Sequence, residues 1–90
     1  MRLAKSEHLI LNLLASCGPC YGLELVQESR GQLKRGGIYV TLSRMEGKGL
    51  VVSSATGGDG RRRYRPTALG ERALLAARIF AGEVGLEAKA

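Results

Sequence analysis

Residues 36–67 read GGIYVTLSRMEGKGLVVSSATGGDGRRRYRPT, and the first half of this segment has the pattern of a helix. At about 100° per residue, Ile38, Leu42 and Met45 share one face. The opposite face carries small side chains and one arginine. One face is therefore suited to pack on a core and the other to be exposed, which predicts an amphipathic helix over about 36–48.

The second half of the segment has the pattern of a β-hairpin. Residues 50–55 have strand character, residues 56–60 form a glycine-rich turn, and residues 61–65 contain four arginines. This order predicts a hairpin over about 50–66 whose second strand is strongly basic.

Two further helices are predicted before this segment. Leucine and isoleucine recur at helical spacing after Ser6, a suitable N-cap, which predicts a first helix over about 6–17. A second helix is predicted over about 22–31, and a short polar link joins it to the helix over 36–48. Two short helices with a tight polar link are typical of a helix-turn-helix, in which the second helix enters the major groove of DNA.

A final helix is predicted over about 68–84, with Thr67 as its cap. Its apolar side chains form two faces. Phe80 lies on one of them, and Leu75, Ile79 and Leu86 lie on a second face, about a hundred degrees or more away around the helix. One apolar face is enough to dock a helix on its own domain. The other is predicted to be covered by the same helix of a second subunit, and the predicted dimerisation residues are Leu75, Ile79, Phe80 and Leu86.

Together these elements predict a mainly α fold with a small β-hairpin, of the α+β class, arranged as a winged helix-turn-helix. Residues 1–67 form the predicted DNA-binding part, and residues 68–90 form the dimerisation helix of the same single domain. A chain of 90 residues is near the size at which one core is only marginally stable, which also favours a dimer.

The charge is concentrated in the predicted helix and hairpin. The chain carries a net charge of +6, and residues 30–65 hold nine basic against two acidic side chains. Such a patch indicates a polyanion partner, and by itself it leaves DNA, RNA and acidic membrane open. No apolar run has the length of a signal peptide core or a membrane span, so a cytoplasmic protein without membrane contact is predicted.

Three ordered motifs carry a family resemblance. They are Tyr21-Gly22-Leu23-Glu24-Leu25, residues 37–51, and Arg62-Arg63-Tyr64-Arg65-Pro66-Thr67-Ala68-Leu69-Gly70. Over roughly residues 7–75 the chain resembles the PadR-like winged-helix transcriptional regulators, in their short form with a single C-terminal helix. The resemblance implies a homodimer joined through that helix, which binds a palindromic operator on double-stranded DNA and represses transcription. Val40 stands where the family commonly has proline, and Pro66 where it usually has an aliphatic residue.

The predicted DNA contacts lie on the second helix, the third helix and the hairpin. The resemblance implies that Tyr39 contacts the DNA backbone through its hydroxyl. Strand alternation places Arg61 and Arg63 on one face of the hairpin and Arg62 on the other. Arg44 and its small neighbours are candidates for reading bases, and the hairpin arginines for binding phosphate or the minor groove. The full set is Tyr21, Lys34, Arg35, Gly36, Gly37, Tyr39, Val40, Ser43, Arg44, Lys48, Arg61, Arg62 and Arg63.

The motif Cys17-Gly18-Pro19-Cys20 has the sequence of a thioredoxin active site. Such a motif lowers the pKa of its first thiol at a helix N-terminus, whereas here it follows a helix and no βαβ pattern precedes it. The favoured interpretation is two thiols in a tight turn, and a thiol-responsive regulator stays a minor alternative. No metal site is predicted, because His8 is the only additional soft ligand.

No catalytic arrangement competes with the binding function. The chain has one histidine, and its glycine-rich turn lacks the strand-to-helix context of a phosphate loop. We therefore predict a regulator that is not an enzyme and needs no cofactor. A protein–protein adaptor or anti-repressor that uses the same helix face is the main alternative, and an unidentified small-molecule effector is left open as a partner.

Overall fold

The computed structural model describes residues 3–55 and 61–80, which form a helical domain with a small antiparallel sheet. In chain order the elements are α1 (Lys5–Cys17), β1 (Cys20–Tyr21), α2 (Gly22–Glu28), α3 (Ile38–Gly47), β2 (Val51–Ala55), β3 (Arg62–Pro66) and α4 (Ala68–Phe80). The strands lie in the order β1-β3-β2. The architecture is a winged helix-turn-helix, as predicted, with β2 and β3 as the wing.

The core lies where α1, α3 and α4 meet the sheet. The inner face of α3 was predicted correctly from its periodicity. The largest fully buried side chains are Ile10, Leu11, Leu14, Leu25, Ile38, Leu42, Met45, Leu50 and Val51. Burial of this apolar surface is the main force that holds α3 in place, because each such side chain contributes about 1.5–3 kcal/mol.

Helix α4 follows Thr67 directly and makes a very close contact with the chain before β2. Thr67 Oγ1 donates to the Gly49 carbonyl and accepts from the Gly70 N–H, so this side chain caps the helix as predicted. Gly70 lies so near the Leu50 carbonyl that a Cβ atom would stand 2.1 Å from its oxygen. The close crossing of α4 over Leu50 thus requires a residue without a side chain at position 70.

Strand β1 is an element that the sequence did not predict. It contains only Cys20 and Tyr21, which pair with Tyr64 and Arg63 of β3. Two residues are too few for an alternating pattern to be recognised. The strand attaches the start of α2 directly to the wing.

Helix α1 begins slightly earlier than predicted. Its N-cap is Ala4, whose N–H donates to Glu7 Oε1 at 2.9 Å. The capping side chain is therefore Glu7, in the third helical position, and Ser6 lies inside the first turn.

Helix α2 ends at Glu28 and not at residue 31, because Arg30 and Gly31 have positive φ values of 54° and 93°. Ser29 replaces the missing helical bonds, since its hydroxyl donates to the Val26 carbonyl and accepts from the Leu33 N–H. Helix α3 starts at Ile38, two residues later than predicted. Residues 81–84 of the predicted last helix and residues 56–60 of the wing lie outside the described residues.

Candidate nucleic-acid interface

The outer face of α3 presents Tyr39, Val40, Ser43 and Arg44. Tyr39 is 50% exposed and Val40 is 55% exposed, and the two polar residues are also exposed. The side chains of Val40 and Ser43 are short, so this face can approach a surface closely. Arg44, near the C-terminal end of the helix, supplies a fixed cation with several donors.

Tyr39 lies across the first residue of α2. A Cβ atom on Gly22 would be 2.7 Å from Tyr39 Cε1 and 3.1 Å from its hydroxyl oxygen. The absent side chain of Gly22 therefore creates the space that the Tyr39 ring occupies. Tyr39 therefore lies in the seam between α2 and α3 with its ring half exposed, and the predicted DNA contact stays a prediction.

The wing arginines divide between two faces, as strand alternation predicted. Arg61 and Arg63 both lie over the Tyr21 ring, with their Cζ atoms 4.4 Å and 5.1 Å from its centroid. Tyr64, which follows Arg63 and alternates to the opposite face, is buried in the core. Tyr21 thus gathers two cations at the point where β1 leads into α2.

Arg62 is held on the other face of the wing. Its Nε donates to Ser53 Oγ at 2.8 Å, and Ser53 Oγ donates to Glu46 Oε2 at 2.8 Å. These bonds join β3 through β2 to the last turn of α3. Part of the donor capacity of Arg62 is therefore used within the protein.

Lys48, one of the predicted DNA contacts, forms an ion pair with Glu7. Its Nζ is 2.6 Å from Glu7 Oε2, and this carboxylate is buried. Burial alone would raise the pKa of Glu7, but hydrogen bonds from Lys48 and Ala4 and the charges of Lys48 and Arg44 outweigh it, so the pKa is lowered. The pair ties α1 to the end of α3, so the structure gives Lys48 a role inside the fold.

Lys34, Arg35, Gly36 and Gly37 form the exposed turn before α3. The Lys34 carbonyl accepts from the N–H groups of Gly37 and Ile38, so the turn is continuous with the helix. Two cations at the positive end of a helix are unfavourable alone and become favourable beside an anion. Their position is compatible with the predicted phosphate contact.

The two cysteines are free thiols in different environments. Cys17 is exposed at the end of α1, whereas Cys20 is buried in β1 and donates to the Gly18 carbonyl. Burial raises the pKa of the Cys20 thiol, and the charges of Glu24, Cys17 and Glu28 raise it further against a smaller lowering by Arg63. A raised pKa disfavours the reactive thiolate that a redox centre needs. Among the described residues no group of three or more side chains could hold a metal ion.

The outer face of α4 is apolar and uncovered. Leu75 and Ile79 are 52% and 44% exposed, and Phe80 is 85% exposed. The inner face is made instead by Gly70, Ala73 and Leu74, with Ala73 and Leu74 in the core. Leu86, the fourth predicted dimerisation residue, lies outside the described residues. None of the described helices is long and apolar enough to cross a membrane.

A pocket of about 620 Å³ lies along the first half of α1. Its lining is Ala4, Lys5, Ser6, His8, Leu9, Asn12 and Gln32. The Nε2 atom of His8 is buried and has no hydrogen-bond partner in the described part of the chain. The small-molecule effector left open by the sequence stays a prediction, and no contact in the structure tests it.

Comparison with known proteins agrees with this geometry. The model of the transcriptional regulator PadR-like family matches residues 10–76. A crystal structure of a PadR family transcription regulator from hypervirulent Clostridium difficile is 29% identical, with a TM-score of 0.73 over 93% of this chain and 97% of that one. No curated protein sequence gives a significant match.

Two more distant structures share the fold. A PadR-like transcription factor from Bacteroides fragilis is 24% identical, with a TM-score of 0.77 over 89% of this chain and 82% of that one. A mutant MarR from Escherichia coli complexed with operator DNA is 15% identical, with a TM-score of 0.79 over 94% of this chain and 60% of that one.

Proposed function

Because this chain belongs to the PadR-like family of transcriptional regulators, we propose that it is a homodimeric repressor that binds palindromic operator DNA sequence-specifically. It is a DNA-binding winged-helix protein, and its family is one of regulators and not of enzymes, as predicted. Repression, sequence specificity and the dimer are the proposed part.

One observation carries the proposal. The exposed face of α3 and a pair of wing arginines are linked through the adjacent residues Tyr21 and Gly22. Tyr39 of α3 packs on Gly22, and Arg61 and Arg63 stack on Tyr21. A groove-sized helix face therefore lies beside two cations that can bind the flanking phosphates.

The proposed contacts fall into two classes. Arg44, with Val40 and Ser43 beside it, reads base edges in the major groove, because a guanidinium can donate two bonds to a guanine. Arg61 and Arg63 bind phosphates and supply affinity, together with the exposed turn at residues 34–37. We leave Lys48 out of the interface, because it neutralises the buried Glu7 carboxylate.

The proposed dimer uses the outer face of α4. Leu75, Ile79 and Phe80 form an exposed apolar surface on a small domain, and such a surface is stabilised by burial against a second copy. Two copies related by a twofold axis would present two α3 helices to two half-sites, which is why the operator is proposed to be palindromic.

Fluorescence anisotropy with two charge-removing variants tests the specificity. A fluorescein-labelled duplex, selected by the wild-type protein from a random-sequence library, is compared with a scrambled duplex. Arg44→Ala should reduce discrimination between the two by about 5- to 100-fold. Lys5→Ala, which removes an equal charge from an exposed position at the start of α1, should leave discrimination unchanged. Equal effects of the two variants would contradict the base-reading role of Arg44.

The adaptor alternative predicts a different result. It requires that the wild-type protein bind the selected and scrambled duplexes equally, or bind neither at low salt. Repressor binding should instead weaken steeply with salt, with a slope of about −0.9 for each phosphate neutralised.

A further inference from the structure

The backbone of Tyr21 is held in place by two contacts within the protein. It belongs to β1, where its backbone pairs with Arg63, and its N–H donates to Glu24 Oε1 at 2.7 Å to cap α2. Its backbone is therefore fixed from both sides. A fixed aromatic ring is a suitable platform for mobile side chains.

The two guanidinium groups on this ring belong to the wing. Arg61 Cζ and Arg63 Cζ are 4.4 Å and 5.1 Å from the ring centroid, within the distance at which a cation interacts with an aromatic face. Both arginines are exposed at the protein surface. The ring restricts them before any ligand arrives.

Stacking leaves the hydrogen-bonding capacity of an arginine available. A guanidinium interacts with a ring through its flat face, whereas its five N–H donors point outward in its plane. A stacked arginine can therefore bind a phosphate bidentately without leaving the ring. Two such groups on one ring form a pair of cations whose positions are set in advance.

We propose that Tyr21 is a positioning residue that preorganises Arg61 and Arg63 for the phosphate backbone of DNA. It acts through its ring and not through a hydroxyl bond to DNA. The inference rests on the proposed DNA-binding function and assigns a separate role within it. Preorganisation raises affinity because less side-chain entropy is lost on binding.

Two substitutions at Tyr21 separate the ring from the hydroxyl. Tyr21→Phe keeps the aromatic face, and Tyr21→Leu keeps apolar bulk without it. In anisotropy titrations with the fluorescein-labelled selected duplex, Tyr21→Phe should bind within about twofold of wild type, and Tyr21→Leu should bind about three- to tenfold more weakly. The salt slope of Tyr21→Leu should match wild type, because the same phosphates are neutralised. Equal losses in the two variants would overturn the proposal.

A combined variant tests whether Tyr21 acts through the arginines. In an Arg61→Ala, Arg63→Ala background, the salt slope should become shallower by about two units. Adding Tyr21→Leu there should cause no further loss of affinity. The same three- to tenfold loss in that background would show that Tyr21 acts on DNA by another route, and would overturn the proposal.

A measurement without DNA distinguishes failure of the proposed positioning role of Tyr21 from failure of the proposed DNA-binding function. In NMR spectra of the free protein, ring currents should shift the side-chain protons of Arg61 and Arg63 upfield in wild type and in Tyr21→Phe, and not in Tyr21→Leu. Absence of this shift in wild type overturns the positioning role even if DNA binds. Absence of DNA binding by a wild type that shows the shift overturns the proposed function, and with it the role of the arginine pair on DNA.

Discussion

Replacement of Gly70 by alanine should destabilise the protein through a backbone collision. A Cβ atom at this position would be 2.1 Å from the Leu50 carbonyl oxygen, 3.0 Å from its carbon and 3.3 Å from Leu11 Cδ2. The same carbonyl accepts from the Thr67 N–H at 3.0 Å, so it is held in place by the cap of α4. The obstacle is therefore main chain, which cannot change rotamer to make room.

The size of the effect follows from the distance. Relief of the contact requires that α4 move by about 1 Å from Leu50, and Ala73 and Leu74 move with it out of the core. Overpacking of this kind costs about 1–3 kcal/mol. Loss of the hydrogen bond from the Thr67 N–H to the Leu50 carbonyl adds about 1 kcal/mol. Alanine offsets up to about 1 kcal/mol through its higher helix propensity. These ranges sum to about 1–4 kcal/mol, and we expect a net loss near the middle, about 2–3 kcal/mol.

Thermal unfolding followed by circular dichroism measures this loss. At about 4–8 °C per kcal/mol for a domain of this size, Gly70→Ala should lower Tm by about 10–20 °C. Gly47→Ala is a matched control, because this glycine ends α3 and a Cβ atom there has no neighbour within 4 Å. All proteins are compared at one concentration, since a dimer links stability to concentration. A Gly70→Ala protein with the Tm of the control would refute the close crossing of α4.

Three further predictions concern other contacts. In Gly22→Ala the new Cβ atom would stand 2.7 Å from Tyr39 Cε1 and should displace this half-exposed ring. The variant should bind the selected duplex about tenfold more weakly in anisotropy titrations, while its unfolding free energy should change by less than about 1 kcal/mol. Glu7→Gln should lower the unfolding free energy in urea by about 1–2 kcal/mol at neutral pH. Because the folded-state pKa of Glu7 is lowered from 4.5, this stabilisation is complete above that value and is lost as pH falls through the folded pKa, so the two proteins should converge in acid. Ile79→Glu should give a monomer in sedimentation velocity at tens of micromolar, where wild type should be a dimer; identical sedimentation would argue against the α4 interface.

Local patterns in the sequence were enough to predict the elements that face the proposed DNA. Helix α3 follows a 3.6-residue period, so Ile38, Leu42 and Met45 could be placed in the core from their spacing. The strand period likewise placed Arg61 and Arg63 on one face. Periodicity reports which residues of one element share a side, and this is all that these predictions needed.

Contacts between distant parts of the chain could not be predicted in this way. Glu7 and Lys48 are 41 residues apart, and both have the composition of ordinary surface residues. Only the packing of α1 on α3 brings them together, so the sequence alone could not show that Lys48 pairs with the buried Glu7 carboxylate. The end of α2 was missed for a local reason, since Arg30 adopts a positive φ that nothing in its side chain indicates.

The order of Tyr21 and Gly22 is itself a structural requirement. Residue 21 must extend as a strand to pair with β3, and its side chain must be aromatic to hold the wing cations. Residue 22 begins α2 and must have no side chain, because the Tyr39 ring fills that space. If the two residues were exchanged, the glycine would leave the arginines without a platform and the tyrosine would push α3 away. The pair therefore joins the wing to α3, the helix that we propose enters the groove, and a change at either residue should weaken DNA binding more than it weakens the fold.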